Sequence, residues 1–354
     1  MGDDKARARL AAADPLGGWG ADPLLAQAFA EQAACLRAVY ALAGEVVRPP
    51  AGAAPEYAVR LGEIPAAFFT PGRNIFSTLF QATYLALGIP PPRRLLYGKL
   101  NHLFRIWVTS ADNLLDDEEK CVLPLAMPGS SRVMREVVAI MAADRVLWHL
   151  LDGAVAAGTV SAPQAAALAD ESLRCLLPSA AQEGSEEGGV TVRPAPEHVL
   201  DTLHVLKTGL LFNIPFMGGD IVETEVDLGR VARLKRALLG FGGGCQILDD
   251  VRDLARDFVE RRHNYVLSVL AQERPGILDA WSRREIKVGD RLYFEVLPVS
   301  LPAARLGCRR LADACALLRE EGVIAAGAPV AELALAMFKL LDLEDLVDAG
   351  VAAE

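Results

Sequence analysis

Phe241-Gly242-Gly243-Gly244-Cys245-Gln246-Ile247-Leu248-Asp249-Asp250-Val251-Arg252-Asp253 is an apolar stretch that ends in three aspartates. At helical spacing Asp249 and Asp253 stack on one face, one turn apart. Two like charges there weaken a helix, so a positive charge is expected close to them. Glycine inside a helix costs about 1 kcal/mol relative to alanine. Three in a row predict a local break or a close approach of backbone and ligand. Upstream, Leu103–Val108 leads in the same way into Asp112-Asn113-Leu114-Leu115-Asp116-Asp117-Glu118, where Asp112 and Asp116 again share a face. One acidic run at a helix end is usually a solvated face. Two runs, each behind an apolar helix and each with an i,i+4 pair, point to oxygen ligands for a hard cation such as Mg2+. Between them, His204-Val205-Leu206-Lys207-Thr208-Gly209-Leu210-Leu211 sets Lys207 on an apolar helix. Alone, such a lysine snorkels to the surface. Beside a metal-held diphosphate it pairs with phosphate oxygens.

The composition of the 354 residues agrees with a helical frame. The chain is 52% apolar but only 6% aromatic, and Ala and Leu, the strongest helix formers, dominate. That excludes global disorder. A net charge of -10 excludes a general nucleic-acid binder, which needs a basic surface. The six cysteines form neither CxxC pairs nor zinc-spaced clusters and read as buried thiols of a reducing cytoplasm. The N-terminus lacks the apolar core of a secretory signal, and no run of about 18 apolar residues predicts a membrane span. His149, His198 and His263 have no nucleophile or acid partner at a useful spacing. The three glycines do not form GxGxxG, and no strands are predicted to carry a dinucleotide fold.

Helical patterning is expected over about 24–47, 75–87, 94–117, 131–157, 163–178, 198–217, 226–258, 264–272, 284–297, 303–321 and 330–349. The expectation is a single all-α domain, 1–354, with a loosely held segment at 1–24 and a loop at 179–197.

Asp112-Asn113-Leu114-Leu115-Asp116 resembles the first DDxxD motif of the trans-isoprenyl diphosphate synthases. Gln246 to Asp253 resembles their second motif, QxxDDxxD, and Lys207-Thr208 their intervening KT pair. The resemblance spans roughly residues 60–270. It implies the isoprenoid synthase fold, a helical barrel around a deep apolar cavity, and a homodimer. It also implies three Mg2+ ions gripping an allylic isoprenyl diphosphate between the two Asp helices. The family's direct metal ligands fall on Asp112, Asp116 and Asp249, with Asp250 and Asp253 as supporting groups or ligands of a third ion. Lys207, Thr208 and Gln246 fall on the substrate side, and Arg261 or Arg262 is the candidate for a further cation. Trp107, Phe76, Phe80, Phe212 and Phe216 either pack the core or steady a carbocation, with Trp107 a candidate for the cavity floor.

The departures bear on function. Asn113 stands where a second Asp is usual, offering an oxygen without charge. The segment matching the GKRxRP-like site for isopentenyl diphosphate is Pro71-Gly72-Arg73-Asn74-Ile75-Phe76-Ser77, with one cation left. Arg105 stands where a His of that site is expected, and the Arg-Arg-Gly after motif one is absent, Arg132 lying farther on. Each lost Arg–phosphate contact removes about 1.5–3 kcal/mol. Intact metal motifs with a depleted second site imply a cyclase acting on one linear C15–C25 allylic diphosphate, C20 being favoured. The alternatives are a chain-elongating prenyltransferase using Arg73, Arg105 and Arg132, and a silent regulatory subunit.

Overall fold

Both acidic runs close long helices whose starts are fixed locally. A computed structural model describes residues 22–116, 118–127, 131–327 and 330–346, except the side chains of Glu332 and Leu335. Residues 1–21 of the N-terminal segment lie outside this range. The helices are α1 (Pro23–Val46), α2 (Ile75–Ala86), α3 (Pro91–Leu115), α4 (Arg132–Ala156), α5 (Ala162–Arg174), α6 (Leu177–Gly184), α7 (Phe216–Val222), α8 (Leu228–Arg252), α9 (Leu254–Val259), α10 (Tyr265–Glu273), α11 (Pro275–Ser282), α12 (Leu297–Glu320) and α13 (Val330–Leu340). The sheet among the described residues is a pair of dipeptides, β1 (Arg60–Leu61) and β2 (Leu125–Ala126), antiparallel with Arg60 opposite Ala126. The expected all-α class is therefore met.

Proline in its first turn starts α3, where a missing N–H costs nothing. Asp227 caps α8 by accepting from the amides of Gly229 (2.8 Å) and Arg230 (3.2 Å). The described residues form two compact units, 22–174 with 215–226, and 175–214 with 227–346.

In the first unit, the return segment 215–226 is tied to α2 and α3. The Tyr84 hydroxyl donates to the Pro215 carbonyl (2.7 Å) and accepts from Asn101 (2.8 Å), while the Tyr97 hydroxyl donates to Glu223 (2.8 Å). Glu31 of α1 takes the Arg94 fork at 2.7 and 2.6 Å. His102 of α3 is buried, and burial, aided by the Arg105 charge, drives its pKa down to about 3. The ring is therefore neutral in the fold and protonates in the unfolded chain near 6.5. Stability is full above that value and falls as pH drops from about 6.5 towards 3, by at most about 1.4 kcal/mol per pH unit. His102→Gln is expected to flatten the acid limb by that one proton. Urea unfolding at pH 7, 5.5 and 4.5 measures it; parallel limbs in both proteins would refute the assignment.

The second unit is organised by α8 against α12 and the 199–212 stretch. The expected break at the three glycines does not occur, since α8 runs unbroken through them. A Cβ on Gly244 would stand 3.0 Å from the Gly307 carbonyl and 2.7 Å from Leu311 of α12. On Gly242 it would stand 2.6 Å from the Phe212 ring. The close approach is thus to protein, helix against helix and ring against helix.

Three other expectations need correction. The loop expected at 179–197 begins only after α6, whose first turn Pro178 favours. The expected α-helix 198–217 is instead two π-helical stretches, Val199–Leu203 and Val205–Gly209, before α7. No helix spans 284–297, because Lys287 and Asp290 close a turn with amide–carbonyl (2.9 Å) and amide–carboxylate (2.9 Å) bonds around Gly289. Of the cysteines, Cys35, Cys245 and Cys315 are buried as expected, whereas Cys121 is exposed. No helix among the described residues is long and apolar enough to cross a membrane.

Candidate active site

The two acidic motifs share one backbone geometry. Helix α3 ends at Leu115, and the amide of the next residue, Asp116, donates to the Asp112 carbonyl (2.8 Å). Helix α8 ends at Arg252, and the Asp253 amide donates to the Asp249 carbonyl (2.8 Å). Each pair therefore lies at a helix C-terminus, the negative end of the macrodipole. Carboxylates there repel each other and the helix end alike. Both features favour a cation.

In the second unit the 204–212 stretch runs antiparallel to α8 in a four-residue register. His204 Nε2 meets Asp250 Oδ2 (2.9 Å), the Thr208 hydroxyl donates to the Gln246 side-chain carbonyl, and Phe212 covers Gly242. Asp250, expected among the metal ligands, turns into the protein. It is buried, and its carboxylate accepts from His204, from the Gln246 amide (3.1 Å) and from the Tyr265 backbone (2.6 Å). It fastens α10 and the 199–209 stretch to α8.

Asp249 and Asp253 lie on the other side of that helix end, and Arg252 holds both. Its Nε and Nη2 donate to Asp253 (2.8 and 2.7 Å), and Nη2 also reaches Asp249 Oδ1. Burial pushes the Asp249 carboxyl above its usual range. Arg252 opposes that shift, Asp253 and Asp250 add to it, and Lys207 opposes it again. Lys207 pairs with Glu183 of α6 (3.2 Å). Burial works against its charge, but the carboxylates of Glu183, Glu186, Asp257 and Asp249 outweigh it and raise its pKa. A third of the side chain stays open to solvent. Asp257 is itself held well above the usual carboxylate range, mainly by burial.

Arg261 and the backbone of Arg262 are tied to the 188–193 segment. The Arg261 carbonyl accepts from the Val190 amide (2.6 Å) and its guanidinium donates to the Gly188 carbonyl (3.1 Å). The Arg262 carbonyl accepts from the Arg193 guanidinium, and its own guanidinium lies 3.9 Å from Glu260.

In the first unit, the Asn113 oxygen is not offered to a ligand. The residue is buried; its amide donates to the Lys120 carbonyl (3.0 Å) and its oxygen accepts from the Lys120 amide (2.9 Å). An aspartate could accept but not donate in this exchange. Arg132 donates to the Asn113 carbonyl (2.8 Å). Arg73 donates to the Cys121 carbonyl (2.8 Å) and lies over the Phe68 ring at 4.4 Å. Arg105 donates to Asn74 (3.1 Å), which is anchored to the carbonyls of Phe68 and Thr70. The cavity beside Arg73, His102 and Arg105 measures only about 10 Å³, room for one water at most.

Trp107 stacks edge-on against Phe104 and donates its indole N–H to the Ile140 carbonyl (3.2 Å), joining α3 to α4. Phe76 is exposed, Phe80 half-buried, and Phe212 and Phe216 buried in packing.

No family model and no curated protein sequence matches the chain. Solved structures do match over most of its length. Heptaprenyl diphosphate synthase from Staphylococcus aureus aligns with a TM-score of 0.58 at 14% identity, over 88% of this chain and 98% of that one. Geranylgeranyl pyrophosphate synthetase from Pyrococcus horikoshii gives 0.56 at 16%, over 89% and 98%. Polyprenyl synthase from Caulobacter crescentus, complexed with calcium and isoprenyl diphosphate, gives 0.56 at 15%, over 90% and 96%. The chain has the isoprenoid synthase fold.

Within that fold, the donors suit Mg2+ in kind. Asp249 and Asp253 are hard oxygen donors that already converge on one positive group, Arg252. Among the described residues no three Asp, Glu, His or Cys side chains gather around one point. Sequence patterning alone did not single out Glu183, Glu186, Asp257, His204 or Arg252. The i,i+3 spacing of Glu183 and Glu186 was visible but lay in a stretch expected to be loop. His204 and Asp250 become partners only through the antiparallel register.

Proposed function

We propose that the protein is a Mg2+-dependent terpene cyclase acting on a single linear allylic isoprenyl diphosphate, in the C15–C25 range with C20 favoured. The observation that carries this reading is the state of the second diphosphate site. Arg73, Arg105 and Arg132 each donate to an oxygen of the protein itself, and the pocket lined by the first two measures only about 10 Å³. The acidic pairs and Lys207 are retained.

Asp112 and Asp116, and Asp249 and Asp253, would hold Mg2+ through carboxylate oxygens. Bound there, Mg2+ supplies Lewis-acid polarisation of the diphosphate leaving group. Lys207, kept charged by its carboxylate neighbours, offsets the charge that develops on the departing oxygens. Thr208 and Gln246, locked to one another, orient that stretch against α8. The C–O bond breaks with its electron pair leaving on the diphosphate. With no second substrate, the nucleophile is a double bond of the same chain, and a ring forms. Phe80 and Trp107 are the candidates for cation-stabilising faces. A homodimer belongs to the same reading.

Incubation of purified protein and Mg2+ with C10, C15, C20 and C25 allylic diphosphates, singly and with isopentenyl diphosphate, tests this. The expected products are a hydrocarbon or terpene alcohol plus diphosphate from one allylic substrate alone. The names of the structural neighbours favour a second reading, chain elongation. A longer linear diphosphate formed only with isopentenyl diphosphate would establish it and overturn the cyclase.

A further inference from the structure

Arg252 is the last residue of α8, set between the two carboxylates that the proposed function gives to the metal. Its guanidinium makes a two-point bond with Asp253 at 2.8 and 2.7 Å and extends Nη2 to Asp249. At the corresponding place before the last aspartate of the first motif stands Leu115, which carries no charge. The two motifs are therefore alike in backbone and unlike in charge: only the second carries its own counter-ion inside the pair. A guanidinium bonded to these oxygens competes with an ion for their lone pairs and charge. The same planar fork that fits a carboxylate also fits a phosphate.

We propose that Arg252 couples metal loading to diphosphate binding. In the ligand-free chain it holds Asp249 and Asp253 and keeps their affinity for a divalent ion low. When a diphosphate arrives with its metal, the ion takes the carboxylates and the guanidinium transfers to diphosphate oxygens. Arg252 thus both delays binding of bare metal and contributes to holding the metal–diphosphate complex. This rests on the assignment of Asp249 and Asp253 as ligands.

The test reads binding, not turnover. Mn2+ binding is measured by electron paramagnetic resonance without diphosphate. Inorganic pyrophosphate binding is measured by calorimetry in excess Mn2+. Against the wild type, Arg252→Met is expected to bind Mn2+ alone on the order of tenfold more tightly and pyrophosphate on the order of tenfold more weakly. A merely structural role would weaken both or neither. Unchanged or weaker Mn2+ binding by Arg252→Met would overturn the coupling. If that variant does not fold, Arg252→Lys keeps a charge but loses the fork and decides instead. A rise in its Mn2+ affinity supports the coupling, and no rise refutes it. Asp249→Asn separates the coupling from the ligand assignment beneath it. If it binds Mn2+ and pyrophosphate as the wild type does, the ligand assignment fails and the coupling with it.

Discussion

Asp249→Asn is expected to lower diphosphate release at least about 100-fold while leaving the fold intact. The substitution is isosteric, and its remaining oxygen can still accept from Arg252. What it removes is the negative charge that the proposed function assigns to the metal. Asp250→Asn, one residue on, should behave in the opposite sense. Three donors converge on the Asp250 carboxylate, and an amide would turn an N–H towards one of them. That costs about 1–3 kcal/mol of stability. Coupled phosphate assay and thermal unfolding on both variants separate the roles. Near-normal release by Asp249→Asn would remove this residue from the metal site.

Lys207→Met is expected to lower turnover by roughly 100-fold and also to destabilise the fold, by roughly 1–3 kcal/mol, between the solvent-exposed and fully buried cases. The stability loss should depend on pH. In the wild type the raised lysine pKa means that its contribution is fully present below about 10.4, the unfolded value, and fades as pH rises through the folded one. Without the ammonium, Asp249 and Asp257, already raised by burial, shift higher still. The folded state then binds more protons than the unfolded chain. The variant should therefore recover stability as pH falls from 7 towards 5. Urea unfolding at both pH values measures this, and equal losses at both would show that the carboxylates do not depend on Lys207.

The helical class and the two acidic helix ends were legible because they rest on local signals. Alternation is absent, Ala and Leu dominate, and Asp pairs at i,i+4 follow apolar runs. Order and spacing along the chain also point to Lys207, Thr208 and Gln246, of which the last two are bonded to each other. The rest was hidden because it depends on partners distant in sequence. The glycines of α8 answer to Gly307 and Phe212, some 63 and 30 residues away. Asp250 was expected as a supporting group or ligand of a third ion, yet the same helical rotation that brings Asp253 beside Asp249 turns Asp250 towards His204. Arg73 and Arg105 looked available for phosphate because sequence shows a charge but not the carbonyl it has already found. Asn113 is the converse: its amide, read as a weakened ligand, is a two-way clamp on the Lys120 backbone.

The two π-helical stretches, the second of which contains Thr208, tie the phase of the residues facing α8 to the length of the segment. A π turn accommodates one residue more than an α turn. Relaxation of the segment to α-helical bonding at unchanged length would rotate the residues after it by about 100° for each turn relaxed. The contacts of Thr208 with Gln246 and of Phe212 with Gly242 would come out of phase with α8, and Lys207 would turn away from its carboxylates. In related chains a π turn here should therefore be replaceable by an α turn only together with the loss of one residue, which keeps the phase of Thr208 and Phe212.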